Sequence, residues 1–202
     1  MGIMSHFTDV PEGTGGVRMT EKEKMLAGEI YDANYDENLI KERMVAKDKC
    51  FELNNMKPYD FENRKDLLKE ILGNTKENVW VESDFWCDYG YNINVGENFY
   101  ANHNLVILDG AKVTFGDNVF IGPNCGFYTA GHPLDYERRN KGLEYAKPIT
   151  VGNNVWFGGN VCVLPGVTIG DNSVIGAGSM VNKDIPANSV AAGNPCKVIK
   201  TI

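Results

Sequence analysis

From Val151 onward an apolar or small residue returns every sixth position, at Val151, Phe157, Val163, Ile169, Ile175, Val181 and Ala187. Four places after each of these stand Val155, Val161, Val167, Ser173, Ser179, Ile185 and Ala191, again small or apolar. A period of six matches neither the 3.6-residue turn of a helix nor the two-residue alternation of a half-buried strand. It matches a chain wound round a triangular prism, each short strand pointing its anchor inward and three strands completing a coil. A parallel β-helix is therefore predicted. Upstream the period continues with slips. Val81, Cys87 and Ile93 form one run, Val95, Ala101, Ile107 and Val113 a second, and Phe115, Ile121 and Phe127 a third, each offset from the last by two residues. Counted from Val81 to Asn188 without the interruption described below, the pattern predicts about five coils of about 18 residues, a prism about 25 Å tall. Such a prism encloses no deep pocket. Function then belongs on its outer faces, its inserted loops or the grooves between subunits.

Before the repeats the period turns helical. Thr20-Glu21-Lys22-Glu23 is a capping-box pattern that predicts a helix to about Tyr31. A second is predicted from Asp36 to Leu53, with Leu39, Ile40, Met44 and Phe51 on its apolar side, ending before Pro58. A third covers Phe61 to Leu72, burying Leu67, Leu68, Ile71 and Leu72 and stopping at Gly73. Residues 19–78 thus read as a small helical cap over an open prism end, and residues 79–202 as the prism, with a C-terminal tail over 189–202. Residues 1–18, glycine-rich and followed by Met19, read as a leader or an added segment outside the fold.

Between Phe127 and Val151 the six-residue frame asks for anchors at Pro133, Arg139 and Tyr145 and finds none that fits. The chain is predicted to leave the prism as a loop over 131–148 and to rejoin it at Ile149. Long structured loops in compact proteins usually carry function. At the base of this one stands His132, whose backbone Pro133 restricts to extended angles. The other histidines are His6 and His103, the latter inside a polar cluster, Tyr100-Ala101-Asn102-His103-Asn104, that coiling is expected to bring near His132. A lone histidine is more often structural than catalytic. The break in the repeat and the charged, tyrosine-rich loop raise the catalytic reading. No nucleophile elbow, Walker loop or dinucleotide fingerprint is present.

Composition narrows the partners. The chain has 202 residues, 43% of them hydrophobic, and a formal charge of −7. That balance argues against nucleic acid, whose phosphates need a basic footprint. Residues 146–202 nevertheless carry four lysines against two aspartates, enough to meet a small anion. Five cysteines without a C-x-x-C pair make zinc clusters and disulfide frameworks poor readings and suit a reducing cytoplasm. No apolar stretch is long enough to span a membrane.

Several segments, AGEIYDAN, YGYNINVGENFYANHN, VILDGAKVTFGDNVFIGPN, TAGHPLD, KPITVGNNVWFGG and LPGVTIGDNSVIGAGSMVNKDIPANSVAAGNP, together with the ending PCKVIKTI, resemble the maltose and galactoside O-acetyltransferases over residues 19–202. The resemblance implies a left-handed parallel β-helix, a homotrimer with sites between subunits, and direct acetyl transfer from acetyl-CoA to a sugar hydroxyl without a metal. It places the catalytic histidine at His132 and the acceptor contacts at Asp32, Asp88, Tyr100 and Asn102. The coenzyme contacts fall on Gly159, Ala177, Asn182, Lys183, Lys197 and Lys200. There are departures. A second acidic residue of the galactoside enzyme is here Gly110, its serine is Asp88, and a frequent threonine is Asn182. Two frequent arginines are Lys197 and Lys200, which meet phosphate as point charges rather than as bidentate forks. Acceptor identity is the open part. Other readings of the same prism are an antibiotic O-acetyltransferase, a zinc hydratase of the carbonic anhydrase type (which needs three imidazoles) and a non-enzymatic binding solenoid.

Overall fold

A computed structural model describes residues 19–202; the expected leader over 1–18 lies outside the described residues. The prism is present. Its first face stacks the parallel strands Val79–Val81, Phe99–Ala101, Phe120–Ile121, Trp156–Phe157, Val174–Ile175 and Ser189–Ala192. A second face stacks Trp86–Cys87, Val106–Leu108, Gly126–Tyr128, Cys162–Val163 and Met180–Val181, and a third stacks Ile93–Val95, Val113–Phe115, Ile149–Val151 and Thr168–Ile169. With six strands on the first face the chain makes about six turns, one more than expected, because the stack begins before Val81 and ends after Asn188. The anchors face inward as read from the sequence: Val151, Phe157, Val163, Ile169, Ile175 and Val181 are each at most 1% exposed.

Ala187 is the exception. It is exposed, and Ile185 takes the inward place, bridging to Ile169. The reason is coil length, which a ladder of asparagine amides on the outside records. Asn78, Asn98, Asn118, Asn154 and Asn172 each donate Nδ2 to the Oδ1 of the next rung, ending at Asn188, at 2.6–3.1 Å and over separations of 20, 20, 36, 18 and 16 residues. All but Asn78 have positive φ, as do Asn104, Asn124 and Asn160, so asparagine supplies most of the left-handed corners. Corners also press on their neighbours. A Cβ on Gly158 would stand 2.6 Å from the Ala177 amide nitrogen, so only glycine fits there. Inside, Phe99, Phe115, Phe127 and Phe157 form a column with successive ring centroids 4.9–5.2 Å apart.

The slips in the early repeats have one location. Anchors Cys87 and Val95, and again Ile107 and Phe115, are eight rather than six residues apart, and the extra pair sits each time at the edge between the second and third faces. The third insertion, between Phe127 and Val151, leaves from the same edge. It is not an open loop. Ala130–Gly131 pairs antiparallel with Leu143–Ala146, a short helix at Tyr136–Asn140 joins them, and Ile149 returns to the core fully buried.

Helix α1 spans Glu21–Leu26 behind the expected capping box. It stops well short of Tyr31, because Tyr31–Asp32 is a strand laid antiparallel on Leu143–Glu144 of the inserted hairpin. Helix α2 spans Glu37–Asn55, with the Asp36 carboxylate accepting from the Leu39 N–H, and α3 spans Phe61–Ile71. Of the expected apolar side of α2 only Leu39 is buried; Met44 and Phe51 face outward. Ala46, Cys50 and Leu53 turn inward instead, and the small Ala46 and Cys50 let the helix lie close on the first coil, where the Cys50 and Cys87 sulfurs stand 3.6 Å apart. Arg64 of α3, 1% exposed, locks the cap to the prism by donating to the carbonyls of Leu53 and Val81 at 2.9 and 3.0 Å. Cap and prism share one core.

Candidate active site

The lengthened corners at the edge between the second and third faces stack above one another, and together with the cap they enclose a pocket of about 430 Å³. Tyr31 reaches it from the cap strand, Arg43 and Lys47 from α2, Asp88 and Tyr89 from the first corner, and His132 and Glu144 from the hairpin. His132 is half-exposed, and its Nδ1 lies 3.1 Å from the carbonyl oxygen of Leu143 across the hairpin. A carbonyl only accepts, so Nδ1 carries a proton and Nε2 is the ring atom left to face the pocket. The Glu144 carboxylate stands 3.7 Å from Nε2, 18% exposed, and accepts from the Tyr31 hydroxyl at 3.2 Å. A carboxylate so placed compensates the charge the ring acquires on taking a proton.

Asp88 has its carboxyl pushed above the usual range by burial; the positive charges of Arg43 and Lys47 pull the other way and Glu144 adds to the rise. Arg43 donates to the Tyr89 hydroxyl at 2.7 Å and to the Ala33 carbonyl at 2.5 Å, while burial pushes the Tyr89 hydroxyl up to about 12. Two carboxylates, two cations, tyrosine hydroxyls and an imidazole suit a polyhydroxylated ligand that hydrogen-bonds on several sides. Glycine at position 110 also finds its reason. A Cβ there would stand 2.9 Å from the Tyr31 hydroxyl, so glycine leaves room for the Tyr31–Glu144 pair that lines the pocket.

The other expected site residues fall into two groups. Asn182 and Lys183 lie on the same edge as His132, further down the prism. Tyr100 and Asn102 do not join His132. They line a separate pocket of about 420 Å³ on the first face, with Phe120, Gly122 and Trp156. The separation of 30 residues is not a whole number of coils of 20 or 18, so coiling carries Tyr100–Asn104 and His132 to different edges. Gly159 and Ala177 stand on the edge between the first and second faces, below Asn102, and neither amide N–H donates to anything among the described residues. Lys197 and Lys200 lie on the tail strand Lys197–Thr201, which runs antiparallel to Ser189–Ala192 at the foot of the first face. Lys183, Lys197 and Lys200 are exposed and form no ion pair among the described residues. Asp32 sits beside the pocket rather than in it, its Oδ1 accepting from the Asn34 and Tyr35 amides. Sequence reading missed Glu144, Arg43, Lys47 and Tyr31. No local signal marks them; they come together only because the cap and the hairpin are laid on the lengthened edge.

Comparison with known proteins gives the class first. Residues 148–183 match the bacterial transferase hexapeptide model of six repeats, and residues 24–76 match the maltose acetyltransferase hexapeptide capping motif. The galactoside O-acetyltransferase of Escherichia coli K12 is 49% identical over 186 residues, which cover 92% of this chain and 91% of that protein. A maltose O-acetyltransferase structure from Clostridium difficile 630 superposes with a TM-score of 0.88 at 54% identity, covering 91% of this chain and 98% of that one. A galactoside acetyltransferase structure in complex with coenzyme A superposes with a TM-score of 0.87 at 49% identity, covering 92% of each. The chain belongs to the maltose and galactoside O-acetyltransferase family of hexapeptide-repeat acetyltransferases. Among the described residues no group of histidine, cysteine and carboxylate side chains is arranged to hold a metal ion, and no helix is long and apolar enough to cross a membrane.

Proposed function

We propose that this chain moves acetyl from acetyl-CoA to a hydroxyl of a sugar, with His132 as general base. The observation that carries the reading is the oriented imidazole, Nδ1 bound to the Leu143 carbonyl and Nε2 beside Glu144 in a pocket that also holds Asp88, Arg43 and Lys47. A sugar hydroxyl attacks a thioester poorly unless its proton leaves as the bond forms. A neutral imidazole takes that proton as the bond forms, and Glu144 balances the imidazolium that results. Asp88 and Tyr89 hold the acceptor by its remaining hydroxyls. The oxyanion of the tetrahedral stage needs an unengaged donor, and the free Gly159 N–H is one, a contribution of about 3–4 kcal/mol when such a donor is aligned. Acetyl-CoA supplies the activated acetyl group. The chain offers it the open backbone at Gly159 and Ala177 with their free N–H groups, and Asn182, Lys183, Lys197 and Lys200 beyond. In this reading the transfer is direct: the hydroxyl attacks the acetyl carbonyl and coenzyme A leaves as the thiol. The free cysteine thiols accord with a reducing cytoplasm.

The assigned residues divide between two edges of one prism, with His132, Asp88, Asn182 and Lys183 on one and Tyr100, Asn102, Gly159 and Ala177 on or beside the other. They meet only if the first edge of one copy packs against the second edge of its neighbour. Such a contact joins unlike surfaces, and a closed ring is the arrangement that satisfies every copy. A homotrimer, with three sites between subunits, is the assembly proposed. Asp32 enters that picture as a residue shaping the rim of the acceptor site.

Thiol release from acetyl-CoA with maltose, glucose, thiogalactosides and an antibiotic panel tests the activity. Sugar-dependent release supports it, whereas release only with antibiotics, or stable acetylation of the protein by acetyl-CoA alone, contradicts it. In the same assay Lys197→Ala with Lys200→Ala is expected to raise the KM for acetyl-CoA about tenfold, as lost charge-assisted phosphate contacts do. The KM for the sugar should stay unchanged. An unchanged acetyl-CoA KM would remove the tail strand from the coenzyme site.

A further inference from the structure

Asp109 is fully buried, yet no cation pairs with it among the described residues. Its carboxylate faces the turn Asp88–Asn92 of the coil above. Oδ1 accepts from the backbone N–H groups of Asp88 and Tyr89 at 3.0 and 2.9 Å, and Oδ2 from that of Asn92 at 3.4 Å. Its backbone carbonyl accepts from the Asn92 side-chain amide at 2.7 Å. Both ends of the turn are therefore tied to one residue. Burial pushes the carboxyl up to about 6, against those backbone hydrogen bonds.

An isolated buried charge is costly, and the prism itself does not require one. The equivalent corner one coil further on is closed by Thr129, also fully buried, whose hydroxyl donates to the Leu108 carbonyl at 2.6 Å and accepts from the Ala111 N–H at 3.0 Å. A neutral hydroxyl suffices there. What distinguishes the corner above Asp109 is what it carries: Asp88 and Tyr89, the two residues it sends into the pocket with His132. The hold extends outward, because the Tyr89 hydroxyl is the anchor of Arg43.

We propose that Asp109 is a positioning residue for the acceptor site, its buried carboxylate fixing the Asp88–Asn92 turn so that Asp88 and Tyr89 meet the sugar at set positions. This rests on the reading of Asp88 as an acceptor contact. A carboxylate that accepts three backbone N–H groups sets the direction of each at once, which a single hydroxyl cannot do. The role is not catalytic: Asp109 has no exposed surface to offer a substrate.

The test is steady-state kinetics on full-length Asp109→Asn, Asp88→Ala and the double variant, with maltose varied at saturating acetyl-CoA and the reverse. Asp109→Asn is expected to raise the maltose KM about tenfold, since hydrogen bonds to a charged group are lost from the turn. The acetyl-CoA KM should stay within about twofold of wild type, because the coenzyme positions lie on other corners. The double variant should be no worse than the poorer single one, the mark of two residues acting through one contact. Asp109→Thr, which installs the residue used one coil further on, gives the same readout should Asp109→Asn fail to fold. A raised maltose KM in Asp88→Ala beside an unchanged one in Asp109→Asn overturns the positioning role alone, as do additive effects or a parallel rise in both KM values. An unchanged maltose KM in Asp88→Ala overturns the acceptor reading and this inference with it.

Discussion

His132→Ala should lower turnover with a sugar acceptor by about 10²–10⁴-fold, the range general base catalysis by a positioned side chain contributes. The protein should remain folded. The ring is half-exposed and its bond to the Leu143 carbonyl is a single surface contact, so its removal costs the hairpin little. Both KM values should change far less than turnover, since the proton is taken in the transition state rather than in the bound complex. Steady-state rates on the folded variant, checked by circular dichroism, decide it. Turnover within about threefold of wild type would mean that the base has been misassigned, since a base at this position contributes far more.

The largest stability effect is expected at Phe127→Ala. Phe127 is completely buried, and its ring meets Phe115 and Phe157 edge-on at centroid distances of 4.9 and 5.2 Å, each on an adjacent coil. Truncation removes transfer energy and leaves a void that rigid stacked coils cannot close, a cost of about 3–5 kcal/mol. It also precedes the insertion that carries His132, so the loss lands on the coil that roots the site. Denaturant unfolding should show a midpoint shift of that size with little change in slope. A loss below about 1 kcal/mol would mean that the column relaxes around the gap and that the coils are less rigid than their packing indicates.

The prism was legible because a six-residue period at Val151, Phe157, Val163, Ile169, Ile175 and Val181 is imposed by geometry on every coil, so each anchor repeats the same message. Ala187 misled because the last coil has 16 residues, and a shortened corner leaves no mark on a small residue that passes for an anchor. The second and third helices of the cap were legible in extent, from Asp36, Pro58 and Gly73, and the first only in its start at the Thr20 box; the facing of the second was not. Met44 and Phe51 look like core by hydrophobicity, whereas close approach to the first coil favoured Ala46 and Cys50. Tyr31 was assigned to a helix because its partner strand, Leu143–Ala146, lies more than a hundred residues away and leaves no local signal. For the site, His132 was marked by the break in the repeat. The two-residue slips before it trace the same edge and mark Asp88 and Asp109 as well. Glu144 and Arg43 stand in ordinary charged stretches, and only their convergence in space distinguishes them.

A site divided between unlike edges of neighbouring copies is tested most directly by mixing two inactive variants. His132→Ala removes the proposed base from one edge and Asn102→Ala an assigned acceptor contact from the other, so each alone should form homotrimers with much reduced activity at a sub-saturating sugar concentration. Co-expressed at equal levels, they form mixed rings in which about one interface in three joins an intact edge to an intact edge, or about one in four over all rings, pure ones included. Activity of the purified mixture should rise to about a quarter of wild type per site, well above either variant, by the same count of interfaces. Activity that stays at the level of the single variants, in mixed trimers verified by mass, would contradict a site built across subunits.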